Sequence, residues 1–431
     1  MNFVYSNETF RGSNPTWANA CVGENGAPGI IEYASGFAAA ANVLLDRAIK
    51  DENVNLQVDT LVYPVCFTMR HAIELFLKSA AQNLIGIGRT RELPLPPFDH
   101  LGSHDLGAMW RYVKSSAGTT DGRLTELVDR LDAYVQNIAD VDPTGQVFRY
   151  PFDVESKKHL VEVSVINFIV LKTRFNEAER LLLALNETLE ALVEEYGWGT
   201  FTKKLSRRQL RLLATQLPPR SSWVEASFDD AKAALRAKYD LSSQDFSKAL
   251  NLIQKRHEMA ACIGMLVPIP ALTLRALERF FDAWTEVNKI EDVIAPPPTR
   301  IVGSGEIEAA IRDYAAKDSP AERLAKELSV EEFAAIQALL EFESEAPVSE
   351  AFERVLSIHQ RLAAHHAACA EEYVRALRKT IGKVRAIDRI LYALDFLGQV
   401  EVLEAVIERY GLEPARARLL ERSQRQKVVA A

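Results

Sequence analysis

The stretch PVCFTMRHAIELFLKSAAQ (64–82) sets Arg70, His71, Glu74 and Lys78 into an otherwise apolar segment. Downstream stand SHDL (103–106), with His104 and Asp105, and FRYP (148–151), with Arg149. An imidazole moves protons near neutral pH, a carboxylate can orient it, and a guanidinium holds a phosphate or a second carboxylate. At 100° per residue, Val65, Cys66, Met69, Ala72, Ile73, Phe76, Leu77 and Ala80 share one wide face. The charged residues fall on the other, where Arg70–Glu74 and Glu74–Lys78 are i,i+4 pairs. Two readings stand open: a solvated charge ladder, or a covered polar site that needs partners, since Phe67 and Leu75 intrude on that face.

Two Arg–His spacings lie near the C-terminus, Arg354 with His359 and Arg361 with His366, each with four residues between. Such a pair could cleave RNA without metal, the His exchanging protons with the 2′-hydroxyl and leaving oxygen while the Arg holds the phosphate. In a continuous helix, positions five apart differ by about 140° and do not meet on one face. A surface helix with scattered His is the competing reading.

The middle of the chain is basic. From 203 to 256 there are twelve Lys and Arg against five Asp and Glu, within a chain of net charge −8. Lys203, Lys204, Arg207, Arg208, Lys248 and Lys255 are the candidate nucleic-acid-binding residues. The segment 228–256 fits two helices joined by a short turn, the second presenting Gln244, Ser247, Lys248, Asn251 and Lys255 to bases or phosphates. A basic segment in an acidic chain can instead dock on the chain's own acidic surface, such as EFESE at 341–345.

Four cysteines, Cys21, Cys66, Cys262 and Cys369, lie far apart with no CxxC pair, so neither a zinc site nor a disulfide framework is expected, and a reducing cytoplasm fits. Neither a dinucleotide fingerprint nor a P-loop is present, and no cofactor is expected. No apolar run reaches the ~18 residues of a membrane span, and the N-terminus does not read as a secretory signal.

The elements that must position these residues are helical. Hydrophobic residues make up 48% and charged residues 26% of the 431, normal for a globular chain long enough for two or three domains. Apolar periodicity predicts helices near 29–49, 60–85, 104–116, 121–139 and 157–195. In the middle, Ser206 with Gln209 is a capping box, and Ser227 and Ser242 precede Asp230 and Asp245 at the same spacing, which predicts helices near 206–216, 228–238 and 243–263, with another near 271–290. APPPTRIVGSG (295–305) reads as a linker. Beyond it, Ser319 with Pro320 and Ser329 with Glu332 mark helix starts. A long helix is expected from Ser349 to about Lys383, followed by two short ones. The expected blocks are 1–199, 200–300 and 301–431, all α.

RHAIELFLK, then SHDL and a helix, then FRYPFD resembles a bacterial branch of the HEPN superfamily (higher eukaryote and prokaryote nucleotide-binding) over roughly residues 30–190. The resemblance implies a four- to five-helix, mainly up-and-down bundle, often a homo-oligomer, with roles in phage defence, toxin systems and RNA cleavage. Nucleolytic members carry an Arg followed, after four to six residues, by a His. Here Arg70 adjoins His71, and Arg149 precedes His159 by ten positions. As residues of the matching segments, Arg70, His71, Glu74, His104, Asp105 and Arg149 are the candidate catalytic centre that the resemblance implies. The expectation is an RNA-acting protein, a metal-independent ribonuclease, or else a non-catalytic oligomeric adaptor that binds RNA, DNA or a protein partner.

Overall fold

A computed structural model describes residues 7–50, 58–153, 155–294, 317–342 and 348–417. Seventeen α-helices and no strands occur among them; one isolated antiparallel bridge joins Phe152 and Lys158. No described helix is long and apolar enough to cross a membrane. The chain divides into two compact units after Gly197.

The first unit holds α1 (Ile30–Lys50), α2 (Val58–Thr90), α3 (Leu106–Thr120), α4 (Thr125–Val141) and α5 (Phe168–Gly197). Alanine spacing makes α1 a close-packing helix: Ala34, Ala38, Ala41 and Leu45 recur every three to four residues and are all buried. Their small side chains let α1 lie along α2. The central helix is α2, with α1 and α5 on one side and α3 on the other. It is therefore buried nearly all round, Arg70, Glu74 and Lys78 included, so the solvated-ladder reading of this face is excluded. Asp105 starts α3 by accepting the Ala108 N–H at 2.8 Å. The helix expected over 157–195 begins only at Phe168. Asn167 caps it, taking the N–H groups of Ile169 and Val170, and the β-branched run before it stays irregular.

The second unit contains α6 (Arg207–Gln216), α7 (Ala226–Lys238), α8 (Ser243–Ile253), α9 (His257–Cys262), α10 (Leu274–Thr285) and α11 (Glu291–Ile294). It continues with α12 (Asp318–Glu327), α13 (Val330–Glu341), α14 (Ser349–Ala367), α15 (Ala370–Ile381), α16 (Ala386–Phe396) and α17 (Val400–Tyr410). The capping boxes at Ser206 and Ser329 form in full. Ser227 and Ser319 do not cap: α7 starts two residues earlier than expected, after Glu225, and α12 starts at Asp318. The helix expected over 243–263 breaks at Gln254–Arg256, where Arg256 turns extended. The long helix expected from Ser349 breaks at Cys369, also extended. Neither break carries a Gly or Pro.

Two apolar clusters build this unit. One joins Leu205, Leu210, Leu213, Phe246, Ile253 and Met259. The other runs from Ile269 to Ala415 and unites Phe280, Trp284 and Val293 with Phe333, Phe352 and Leu391. A boundary at residue 300 is thus corrected, because α10 packs in one core with the helices beyond it. The linker at 295–305 and Glu343 to Glu345 of the acidic stretch lie outside the described residues.

Candidate functional site

On α2, Arg70, Glu74 and Lys78 stand one turn apart and are 2%, 3% and 7% exposed. Glu74 is the hub. Arg70 Nη1 donates to its Oε2, Lys78 Nζ lies 3.0 Å from Oε1, and His104 Nδ1 meets Oε1 at 2.9 Å. His71 Nδ1 is 3.9 Å from Oε2. Burial would push this carboxyl up, but the nearby His71 imidazole, hydrogen bonds from His104 and Lys78 and the charge of Arg70 outweigh it and hold the group well below the usual carboxylate range.

The partners of Glu74 also tie the bundle together. Arg70 donates Nε to the Asp142 carbonyl at 3.2 Å and Nη2 to the His104 and Pro143 carbonyls at 2.6 and 2.9 Å. Lys78 Nζ donates to the Leu101 carbonyl at 3.0 Å. One helix thereby holds both the loop entering α3 and the loop leaving α4. That second loop passes tightly over the guanidinium: Gly145 has φ +76°, and a Cβ there would lie 3.1 Å from Arg70 Nη1.

The two imidazoles are the solvent-facing part of the group. The side chain of His104 is 68% exposed and that of His71 30%, against 4% for Glu74. With Nδ1–H donated to the carboxylate, His104 turns Nε2 and its lone pair outward. His71 is held by aromatic contacts, edge-on to Phe37 at 4.5 Å and stacked on Phe67 at 5.9 Å. Arg149 stands over Phe67 and Tyr150, at 5.5 and 5.2 Å from the ring centres, with its side chain in solvent. Of the six candidate residues, Arg70, His71, Glu74 and His104 are brought into direct contact. Arg149 flanks them through Phe67, and Asp105 is turned to its own helix N-terminus. Arg70 and Glu74 are buried beneath the two imidazoles.

Beside this group lies a mainly apolar cavity of about 370 Å³, lined by Met69, Phe148, Val170 and Phe175 among others, with Arg70 at its wall. Cys66 also lines it. Burial and the Asp142 charge push that thiol up to about 12, so it is no thiolate nucleophile at neutral pH. Sequence reasoning missed Asp142. It is fully buried, its Oδ1 accepts the N–H groups of Gln146 and Val147, and its Oδ2 has no partner among the described residues. The available signal was the turn DVDPTG.

The basic segment is only partly a surface for phosphate. Arg207 is buried, donating to Glu258 and, at 3.0 and 2.8 Å, to Glu350. It is thereby corrected from a nucleic-acid contact to an internal ion-pair centre. Burial would lower this guanidinium, but Glu258 and Glu350 raise it above its ordinary value. Arg256 donates Nη1 to Glu353 at 2.9 Å. Lys204 pairs with Asp240 at 2.6 Å. Lys203, Arg208, Lys248 and Lys255 are exposed. On α8, Phe246, Ala249 and Ile253 face inward, while Gln244, Ser247, Lys248 and Asn251 are exposed on the other side.

The two Arg–His spacings do not make pairs. Arg354 stacks over Trp198 at 5.5 Å, while Arg361 is exposed. His359 and His366, seven apart on α14, instead line one polar cavity. Among the described residues, no group of three or more His, Cys, Asp or Glu is placed to hold a metal ion. No family model matches the chain, and neither a curated protein nor a solved structure shows significant similarity to it.

Proposed function

We propose that the first unit acts on RNA by metal-independent phosphodiester cleavage, with His104 as the proton-transfer group. The supporting observation is the buried Glu74 carboxylate that accepts Nδ1–H from the solvent-exposed His104. That contact fixes the tautomer and raises the basicity of the outward Nε2. His104 takes the proton of a ribose 2′-hydroxyl and the 2′-oxygen attacks phosphorus. The P–O5′ bond breaks, leaving a 2′,3′-cyclic phosphate, and the departing 5′-oxygen receives a proton from His71. Arg149 supplies positive charge for the phosphate and Tyr150 a ring for a neighbouring base. The resemblance to HEPN proteins adds the setting: a cytoplasmic homo-oligomer of phage-defence or toxin type.

The test is incubation of the full chain with single-stranded and structured RNA in EDTA. Cleavage to cyclic-phosphate ends is expected, with His104→Ala and His71→Ala each lowering the rate at least 100-fold. Full activity in both variants removes this reading.

A second reading, a non-catalytic oligomeric adaptor, is favoured by a different observation. Val161, Val165, Ile169 and Val170 are 61–85% exposed and follow one another along the loop and first turn of α5, an apolar run that suits contact with another copy or a protein partner. Absent cleavage, with self-association abolished by Ile169→Asp and Val170→Asp, selects it.

A further inference from the structure

The break at Cys369 folds α15 back beside α14, and the two helices with α13 enclose a polar cavity of about 450 Å³. Gln337 and Glu341 come from α13, His359, His365 and His366 from α14, and Glu372, Arg375, Lys379 and Thr380 from α15, with Lys383 just beyond. Lys383 is engaged by Glu341. Arg375 and Lys379 are one turn apart on the cavity side of α15 and exposed, and the cavity's two carboxylates are Glu372 and the Lys383-bound Glu341.

The histidines carry the argument further. Neither His359 nor His366 makes a hydrogen bond with any described residue, and Nδ1 of each is buried without a partner. Gln337 Oε1 is likewise unsatisfied. These occluded atoms cannot reach a molecule in the cavity, so what each histidine offers there is its other ring nitrogen, Nε2. Cationic Arg375 and Lys379 call for an anion, and the imidazole nitrogens that line the same cavity call for a ligand with its own donors and acceptors. The volume admits a drug-sized molecule rather than a helix or a strand of nucleic acid.

We propose that this cavity binds a small phosphorylated ligand of nucleoside monophosphate size. Arg375 and Lys379 take the phosphate, and Nε2 of His359 and of His366 takes the polar groups of the rest. This site is independent of the Glu74 centre and of the cleavage reading.

The test is calorimetric titration of the full chain with the four ribonucleoside 5′-monophosphates, adenosine, ribose 5-phosphate and inorganic phosphate. The expected result is saturable binding of at least one monophosphate, competed by excess phosphate, with adenosine at least 10-fold weaker. Arg375→Ala and Lys379→Ala lie on an exposed surface and preserve the fold; each should weaken binding at least 10-fold. Histidine ring NMR signals assigned through His359→Gln and His366→Gln should shift on titration. Binding of no phosphorylated probe at millimolar concentration overturns the proposal. So does monophosphate binding that is indifferent to Arg375→Ala and Lys379→Ala, or that leaves both histidine signals unmoved.

Discussion

At the scale of single residues, Glu74 is the group on which the most depends. It is buried and faces Arg70, Lys78, His104 and His71. Glu74→Gln keeps the shape but leaves two buried cations uncompensated, which should cost about 3–5 kcal/mol by urea denaturation of the first unit. Glu74 also sets a pH dependence. Its folded value is depressed, so its contribution is fully present above the unfolded carboxylate value of about 4.3 and fades as pH falls through the lower folded value. Denaturation midpoints should therefore fall more steeply between about pH 4 and 2 in the native chain than in Glu74→Gln. Equal slopes would mean that the carboxylate is not held as described. Asp105 separates folding from chemistry: Asp105→Asn should keep both cap and cleavage, whereas Asp105→Ala should lose about 1 kcal/mol of stability.

At the scale of elements, the loops that cross Arg70 decide the site's shape. Gly145 combines a left-handed backbone with a close approach to the guanidinium. Gly145→Ala should destabilise the first unit by about 1–2 kcal/mol and should also disturb His104, whose carbonyl shares Nη2 of Arg70 with that of Pro143. A thermal melt and the His104 ring signal report the two effects together. An unchanged melt would show that the loop relaxes freely. The breaks in α8–α9 and α14–α15 work in a similar way. The first frees Arg256 to reach Glu353 and places Glu258 against Arg207. The second sets His359 and His366 opposite Arg375 and Lys379. Both breaks escape sequence reading because their cause is tertiary: ion pairs in one case, two apolar faces folding onto one core in the other.

At the scale of the whole molecule, the basic excess between residues 203 and 256 has two destinations. Part of it is spent inside the second unit, where Arg207 and Arg256 meet Glu258, Glu350 and Glu353. Part remains on the surface of α8 and its C-terminal end, at Lys248 and Lys255. Arg207→Ala should cost about 3–5 kcal/mol of stability, because buried Glu258 loses its partner and buried Glu350 keeps only Arg256, at 3.5 Å, while leaving nucleic-acid affinity unaltered in the folded fraction. Lys248→Glu with Lys255→Glu should do the reverse: near-native stability, weaker RNA binding and a salt slope reduced by about 2. Filter binding across a salt series distinguishes the two. Absence of binding at low salt in the unmodified chain would assign the whole basic segment to internal packing.

Sequence by itself determined the helical class, most helix positions to within a few residues, and the caps at Ser206 and Ser329, because periodicity and capping are local. It also marked Arg70, His71, Glu74 and His104 as a group, since charged residues in an apolar run must find partners. Burial was not decided locally. The face bearing Arg70, Glu74 and Lys78 reads equally as a solvated ladder, and only the loops carrying Leu101, His104, Asp142 and Pro143 make it an interior. The same holds for Arg207, whose counter-ion Glu350 lies 143 residues away. Which charges face water, which histidines share a cavity and which helices share a core are properties of contacts distant in sequence. No window of local pattern contains both members of such a contact, so the tertiary structure alone decided them.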